Sequence, residues 1–522
     1  MPATQSNSAA PAFSTATAQL AAIDIGSNSF RLEIGQLGEG RYRRVDYIKE
    51  NVRLGAGLDD NGLLTEAAAL RGLACLARFA QRLVDFGASQ VRAVATQTLR
   101  EARNRDAFLR RAEAALGHPI EVVSGREEAR LIFAGVARLQ PSPVPRLVVD
   151  IGGRSTEMIV GVGSQPLHAE SFRVGSVSLS MSYFGDGRFS EQAFRSAQVA
   201  AGAELEEALT LFAPSRWQEA LGSSGTAGAV SQVLAASAVT DGAITPDGLS
   251  WLMQQCLRAG RADKLNLPGL KDDRRQVIGG GLAILSTLAA QFGIQSLQPA
   301  RGALRQGVLF DLYERLQSRA ATGEGAAPCQ DVRDNSVREM QERFRVDTLQ
   351  ASRVAGVAAA FFDGAFPASA STASDEAHAE TRRELLWAAA LHETGTMVSH
   401  HDHHRHSAYM LSHADAAGFS QSQQRRLGEL LLAQRGGLRK VELQLAQNAF
   451  AWQVLCLRLA VIKCHARGAV DMNALTLQRS GQQALLGLSR EWADRHPRTM
   501  FLLDAEVTAW ERNGPLRLLL GR

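Results

Sequence analysis

Short apolar runs that stop at small, polar turns recur through the N-terminal part of the chain, a spacing that predicts buried strands joined by hairpins and helices. The first lies in residues 20–36, LAAIDIGSNSFRLEIGQ: residues 20–23 read as a strand, Asp24 to Ser29 as the tight turn ending it, and residues 30–34 as the returning strand. The same order returns in residues 147–162, LVVDIGGRSTEMIVGV, with Asp150 lying 126 residues after Asp24. One Asp-Gly-Ser turn is an ordinary hairpin. Two copies point to a duplicated unit that holds a ligand. Residues 41–54 predict one or two strands, and 63–87 an amphipathic helix opened at Thr65 and closed at Gly87. Residues 91–96 and 120–124 predict strands that pass into helices. Further on, 171–180 continues the second sheet, 190–213 is a helix, 220–235 is a strand end, a Gly/Ser turn and a helix, and 277–293 and 303–316 are helices. Beyond residue 331 the alternation disappears. Residues 332–362, 381–393 and 425–463 read as helical, 363–380 as a flexible connector, and 475–479, 501–510 and the final LRLLLG as a small strand-containing module.

A chain of 522 residues exceeds one core and suggests about three or four domains. Hydrophobic content of 45% and charged content of 21% are those of a globular protein, and no apolar run approaches the roughly 18 residues of a membrane span. Residues 1–19 are small and polar and read as a disordered tail rather than a signal peptide. Five scattered cysteines without a CxxC pattern fit a reducing cytoplasm. Only five of the 57 basic residues are lysine. Codon bias explains the total, so functional weight rests on the arginines inside motifs, where guanidinium forks suit phosphate.

The turns supply the candidate chemistry. Glycines let a ligand approach the backbone, while successive N–H groups and the hydroxyls of Ser27 and Ser29 make a concavity for an anion. Asp24, at a strand end, is expected to face a divalent cation through water. The junction at Thr96-Gln97-Thr98 presents hydroxyls and N–H groups to an anion, and Arg100, one turn on, can fold back on a phosphate. Arg103 and Arg105 fit a ligand role and a solvated face equally. Glu127 and Glu128 open a helix near Arg126, where acidic residues ordinarily complement the dipole; next to the second turn, one of them can take a proton from water. Ser223, Ser224, Gly225 and Thr226 either contact phosphate or cap a helix. The histidine-rich run around 391–414 raises a metal hypothesis, with a structural or vestigial role favoured. Arg435, Arg439, Lys440, Arg458 and Lys463 are available to a polyanion.

Paired phosphate loops resemble those of the actin-like ATPase and sugar kinase superfamily. Together DIGSNSFRL, ATQTLREARN, SGREEARLIF, DIGGRSTEM, SSGTAG and the HETG…HRHSAY segment resemble the exopolyphosphatase and guanosine pentaphosphate phosphohydrolase family, in particular its long four-domain members. The resemblance implies an α/β fold of two actin-like (ribonuclease H-like) domains, 20–138 and 139–317, then a linker at 318–330, a mainly helical HD-like domain at 331–450 and a small α+β module at 451–522. Where the HD motif has a metal-binding His-Asp pair, this chain has His392-Glu393.

The resemblance also implies roles. Glu128 is the general base, with Glu127 as fallback, and Asp150 holds Mg²⁺ (Mn²⁺ as the alternative), assisted by Asp24 and Glu128. Ser27, Asn28, Ser29, Thr98, Gly152, Gly153, Ser155, Thr156, Gly225 and Thr226 grip the terminal phosphoryl group, and Arg100, with Arg53, offsets its charge. Arg154 replaces the usual third glycine and either adds a phosphate contact or narrows the loop. The expected reaction is processive release of orthophosphate from inorganic polyphosphate, with guanosine pentaphosphate as the alternative substrate. A homodimer in the cytoplasm, at most peripheral at the inner face of the membrane, is expected, with a basic channel extending through the C-terminal domains and no nucleic-acid partner. A sugar or acetate-type kinase would instead need an acceptor-binding Asp and an adenosine pocket, and an actin-like filament protein would not need Glu128.

Overall fold

Strand β1 (Ala18–Ile25) is fully buried from Leu20 to Ile23, as a strand covered on both faces must be. It pairs antiparallel with β2 (Phe30–Gly38), which pairs antiparallel with β3 (Arg41–Glu50). On its other side it runs parallel to β4 (Val91–Ala95), and β4 parallel to β5 (Ile120–Val122), giving the order β3-β2-β1-β4-β5. The second sheet repeats this plan. β6 (Arg146–Ile151) is antiparallel to β7 (Thr156–Val162), β7 to β8 (Gln165–Phe172), and β6 is parallel to β9 (Glu219–Ser223), which is parallel to β10 (Gln298–Pro299). In matching register Asp24 stands opposite Arg31, and Asp150 opposite Glu157. The duplication is therefore structural: two mixed α/β sheets share one strand order. This computed structural model describes residues 18–38, 41–320, 331–367 and 372–521.

Helices α1 (Glu66–Ala80), α2 (Gln97–Glu101), α3 (Arg105–Leu116) and α4 (Gly125–Leu139) belong to the first half, and α5 (Ser176–Tyr183), α6 (Glu191–Leu205), α7 (Ser224–Ala236), α8 (Pro246–Ala259), α9 (Asp272–Arg275) and α10 (Ile278–Gln291) to the second. The closing helix α11 (Leu304–Ala320) shares a core with α4 between the sheets, built from Leu20, Ala22, Phe133, Val148, Ile159 and Val308. The two helices touch backbone to backbone: a Cβ on Gly307 would overlap the carbonyl of Leu131, and one on Gly135 would come within 2.8 Å of the Gly307 nitrogen. A buried ion cluster ties them further, Asp311 on α11 accepting from Arg92 at 2.6 Å and from Arg130 on α4. This cluster also consumes Glu127, which accepts two bonds from Arg130 at 2.7 and 2.8 Å.

Several expectations need correction. Residues 18 and 19 already belong to β1, while 1–17 lie outside the described residues. Helix α11 returns to the first sheet and extends to Ala320, so the second domain does not hold everything up to 317 and the linker does not begin at 318; 321–330 lie outside the described residues. Residues 176–180 are helical rather than strand: their Val-Ser-Leu-Ser alternation mimics a strand, but α5 packs so closely on α10 that a Cβ on Gly280 would come within 2.5 Å of the Ser176 carbonyl. The predicted helix to Gly87 stops at Ala80, and the one after Thr96 breaks between α2 and α3.

The second unit, Gln330–Arg522, has its own continuous core, from Val337 through Phe362, Leu430 and Trp452 to Trp510 and Leu518. A helix, Asn448–Lys463, runs straight across residue 450, so the expected boundary there divides neither the core nor its elements. The three-stranded sheet of Leu475–Ser480, Gln483–Leu488 and Arg517–Gly521 is present, but 501–510 lies in the helix Pro497–Asn513. Of the expected connector, 363–365 and 372–380 are helical, and 368–371 lie outside the described residues. Among the described residues no helix is long and apolar enough to cross a membrane.

Candidate active site

Both turns lie at the carboxyl ends of parallel strands, where α/β sheets leave a crevice. They meet face to face: a Cβ on Gly153 would stand 3.2 Å from Ser27 Cβ and 3.6 Å from the Asn28 nitrogen. The cleft around them encloses about 670 Å³ and is lined by Asp24, Ser27, Asn28, Ser29, Glu128, Asp150, Gly152, Gly153, Ser155, Gly225 and Thr226. These are residues that the sequence singles out, gathered from four separate segments.

Glu128 arrives on the first turn of α4, whose N-terminus is fixed by the Ser124 hydroxyl accepting from the Glu127 nitrogen at 3.1 Å. Burial, opposed by Arg100 and reinforced by the negative charges of Asp150 and Asp24, pushes its carboxyl up to about 7. Asp150 is also raised by burial, against hydrogen bonds from Ser224 and Ser223. Glu157, buried opposite it, is driven well above the ordinary range by burial and by the charges of Glu128 and Asp150. Mutually repelling oxygen donors of this kind suit a hard divalent cation. Among the described residues no three His, Cys, Asp or Glu side chains form a closed metal cage. Asp24 has cationic partners, Arg31 at 3.4 Å and Arg305 at 3.8 Å, so Asp150 is the carboxylate with the greater need of a cation.

Residues 34–316 match the Ppx/GppA phosphatase family, and residues 332–507 match domain III of Ppx/GppA phosphatases. The chain belongs to the Ppx/GppA phosphatase family. Among solved structures, an exopolyphosphatase-like protein is similar at 25% identity over 58% of this chain and 99% of its own, with a TM-score of 0.52. An exopolyphosphatase from Cytophaga hutchinsonii is similar at 23% identity over 57% and 98%, with a TM-score of 0.52. The Aquifex aeolicus PPX-GPPA enzyme matches at 24% identity over 56% and 99%, with a TM-score of 0.48.

Five expected substrate contacts of this Ppx/GppA phosphatase do not face the cleft. Arg100 donates to Glu128 at 2.7 Å and to the Val123 carbonyl at 3.1 Å and does not line the cleft. Thr98 donates to the Ser27 hydroxyl at 2.8 Å and orients it. Thr156 is spent on the Val174 carbonyl at 2.6 Å. Arg154 turns to Glu101 at 2.7 Å and to the Gly55 carbonyl at 3.2 Å. Arg53, at φ 53°, lines an adjoining cavity that shares Ser27 and Asn28 with the cleft. Thr96, of the junction expected to face an anion, lines the cleft, whereas sequence reasoning missed Arg31, Arg274 and Ser176, which also line it, and the buried Glu157 beside it. Arg31 was detectable: a four-residue turn between Ile25 and Phe30 pairs it with Asp24. Ser224, left open between contact and cap, adopts φ 66° and donates to the Ile151 carbonyl, a strained backbone held at the cleft wall.

In the second unit, Arg458 is buried on Glu506 and on the carbonyls of Ala433 and Gly436, so it is not available to a polyanion. His403 and His404 begin a helix, His403–His413. His392 is buried against the Ala389 carbonyl at 2.8 Å, and Glu393 pairs with Arg467.

Proposed function

We propose that this protein is an exopolyphosphatase that releases orthophosphate from the end of inorganic polyphosphate. The carrying observation is Glu128, a buried carboxyl pushed up to about 7, facing the hydroxyl-lined space between two phosphate-holding turns. Ser27, Ser29, Ser155 and the backbone of both turns hold the terminal phosphoryl oxygens. Arg31 and Arg274 balance the charge that reaches the leaving oxygen. Glu128 takes a proton from water aligned for in-line attack, the bond to the next phosphate breaks, and orthophosphate leaves with a chain one unit shorter. Mg²⁺ or Mn²⁺, held by Asp150 with Asp24 and Glu128 nearby, would supply neutralisation of the phosphoryl charge. The similar solved structure described as an exopolyphosphatase-like protein supports the same reading.

One observation favours guanosine pentaphosphate as a second substrate. The cavity beside Ser27 and Asn28 is lined by Phe184, Phe189, Met181 and Val177, an apolar surface that suits a nucleoside. Phosphate release from long polyphosphate and from guanosine pentaphosphate, measured in parallel for wild type and Glu128→Ala, tests both. Release from polyphosphate should dominate and vanish in the variant. A fully active variant would remove Glu128 from the mechanism.

A further inference from the structure

Helix α2 is little more than one turn, yet it reaches both phosphate turns. It follows strand β4, and its Thr98 donates to the Ser27 hydroxyl of the first turn at 2.8 Å. On another face, the helical spacing of three and four residues brings Gln97, Arg100 and Glu101 together. Glu101 accepts from Arg154 of the second turn, from Nε at 2.8 Å and from Nη2 at 2.7 Å. Gln97 is buried between its two charged neighbours and joins them: its Nε2 donates to Glu101 Oε1 at 2.6 Å, and its Oε1 accepts from Arg100 Nε at 2.8 Å.

These neighbours leave the amide one orientation. An ionised carboxylate only accepts and a guanidinium only donates, so the Gln97 nitrogen must face Glu101 and its oxygen Arg100. Arg100 is thereby held at two nitrogens, Nε by Gln97 and Nη1 by Glu128 and the Val123 carbonyl. The third, Nη2, is buried and meets no hydrogen-bond acceptor among the described residues. Without the Gln97 oxygen, two of the three nitrogens would lack an acceptor, and the guanidinium plane that steadies Glu128 Oε2 would be free to turn. Gln97 itself does not line the cleft.

We propose that Gln97 is a positioning residue for phosphate release: it fixes the Arg100 guanidinium and, through it, the Glu128 carboxylate, in a chain of bonds that Glu101 and Arg154 anchor on the second turn. The inference rests on the exopolyphosphatase reading and gives Gln97 no contact with substrate. Its contribution falls on the step in which Glu128 takes a proton from water, because a carboxylate that has shifted no longer meets the aligned water. The grip on the terminal phosphoryl group belongs to the turns themselves and does not depend on it.

Steady-state kinetics on long polyphosphate, with a melting curve for each variant, test this. Gln97→Met keeps the volume and removes both bonds, so kcat should fall on the order of tenfold with KM within about twofold. Gln97→Glu alone sets two carboxylates against each other and should also be slow. Combined with Glu101→Gln, it exchanges the charges but keeps every bond: the amide at 101 donates to the carboxylate at 97, which accepts from Arg100, and Arg154 still meets an oxygen. That double variant should recover kcat to within about threefold of wild type, a rescue that a space-filling role for Gln97 would not give. In an Arg100→Met background, Gln97→Met should lower kcat less than about twofold further. Should Gln97→Met fail to fold, the exchanged pair against Gln97→Glu decides. An unchanged kcat in Gln97→Met, a loss confined to KM, the full loss without Arg100, or a folded double variant that stays slow overturns the proposal. A wild-type protein inactive on polyphosphate, or a fully active Glu128→Ala, would instead sink the parent reading, and this one with it.

Discussion

The Arg100 guanidinium donates to Glu128 Oε2 at 2.7 Å and opposes the burial and like charge that raise that carboxyl. Both side chains are nearly buried, so the pair is weakly screened. A base near pH 7 is matched to its task, because it is unprotonated often enough to act and basic enough to accept the proton.

Activity is therefore predicted to rise with pH through about 7, as Glu128 loses its proton and becomes competent. Glu128→Gln should lower kcat by about 10²–10⁴-fold and abolish that limb. Arg100→Ala should leave a weakened enzyme whose limb moves to higher pH, since the opposing cation is gone while Asp150 and Asp24 remain. The kcat/KM profile of each variant checks this. A limb that stays in place would show that Arg100 does not act through Glu128.

Chelation should stop phosphate release without unfolding the chain, because the closed cage that would make a metal structural is lacking among the described residues. Asp150→Asn should raise the Mg²⁺ concentration for half-maximal rate by roughly 10–100-fold. The same substitution at Asp24, which is already paired with Arg31, should shift it less. Magnesium titrations of the three proteins, with circular dichroism before and after chelation, decide the order.

How much of this was legible beforehand follows from how local each feature is. The two turns, Asp24 and Asp150 could be placed because strand and glycine-serine turn are written in adjacent residues, whereas the helix start marked only the pair Glu127 and Glu128, and the family resemblance chose Glu128. The direction of a side chain is not. Arg154 and Thr98 sit in the phosphate motifs but find closer partners in Glu101 and Ser27, which only the packed chain supplies. Arg274 lies far from either turn in sequence and reaches the cleft through α9. The α5 segment fails for a different reason: its alternating small polar and apolar residues fit a strand locally, and close packing on α10 decides for helix.

Asp311 joins α11 to the first sheet by accepting from Arg92, Arg130 and Arg315 in the buried core. Their charges hold its carboxyl far below the usual range even against burial. Asp311→Asn leaves three arginines poorly compensated and should cost about 3–5 kcal/mol. Protection of α4 and α11 amides in hydrogen exchange should fall on the order of 10²-fold or more. The sign follows from the depressed value: the contribution is complete above the unfolded pKa of about 3.9. It is lost only as the medium falls through the much lower folded one, so the penalty should not vary between about pH 5 and 8.

Arg31 and Arg154 occupy the two hairpins, and charge alone would give them the same work. The structure separates them. Arg31 lines the cleft beside Asp24, with its Nε buried and without a hydrogen-bond partner, whereas both branches of Arg154 are taken by Glu101 and Gly55. Arg31→Ala should therefore raise KM for polyphosphate and slow turnover, with a loss of about 2–3 kcal/mol in kcat/KM if it meets a phosphoryl oxygen. Arg154→Ala should leave kcat/KM within about threefold and lower stability by about 1 kcal/mol through the lost half-exposed pair. Steady-state kinetics and thermal melts of the two variants separate these outcomes. Equal kinetic losses would mean that Arg154 swings into the cleft when substrate binds.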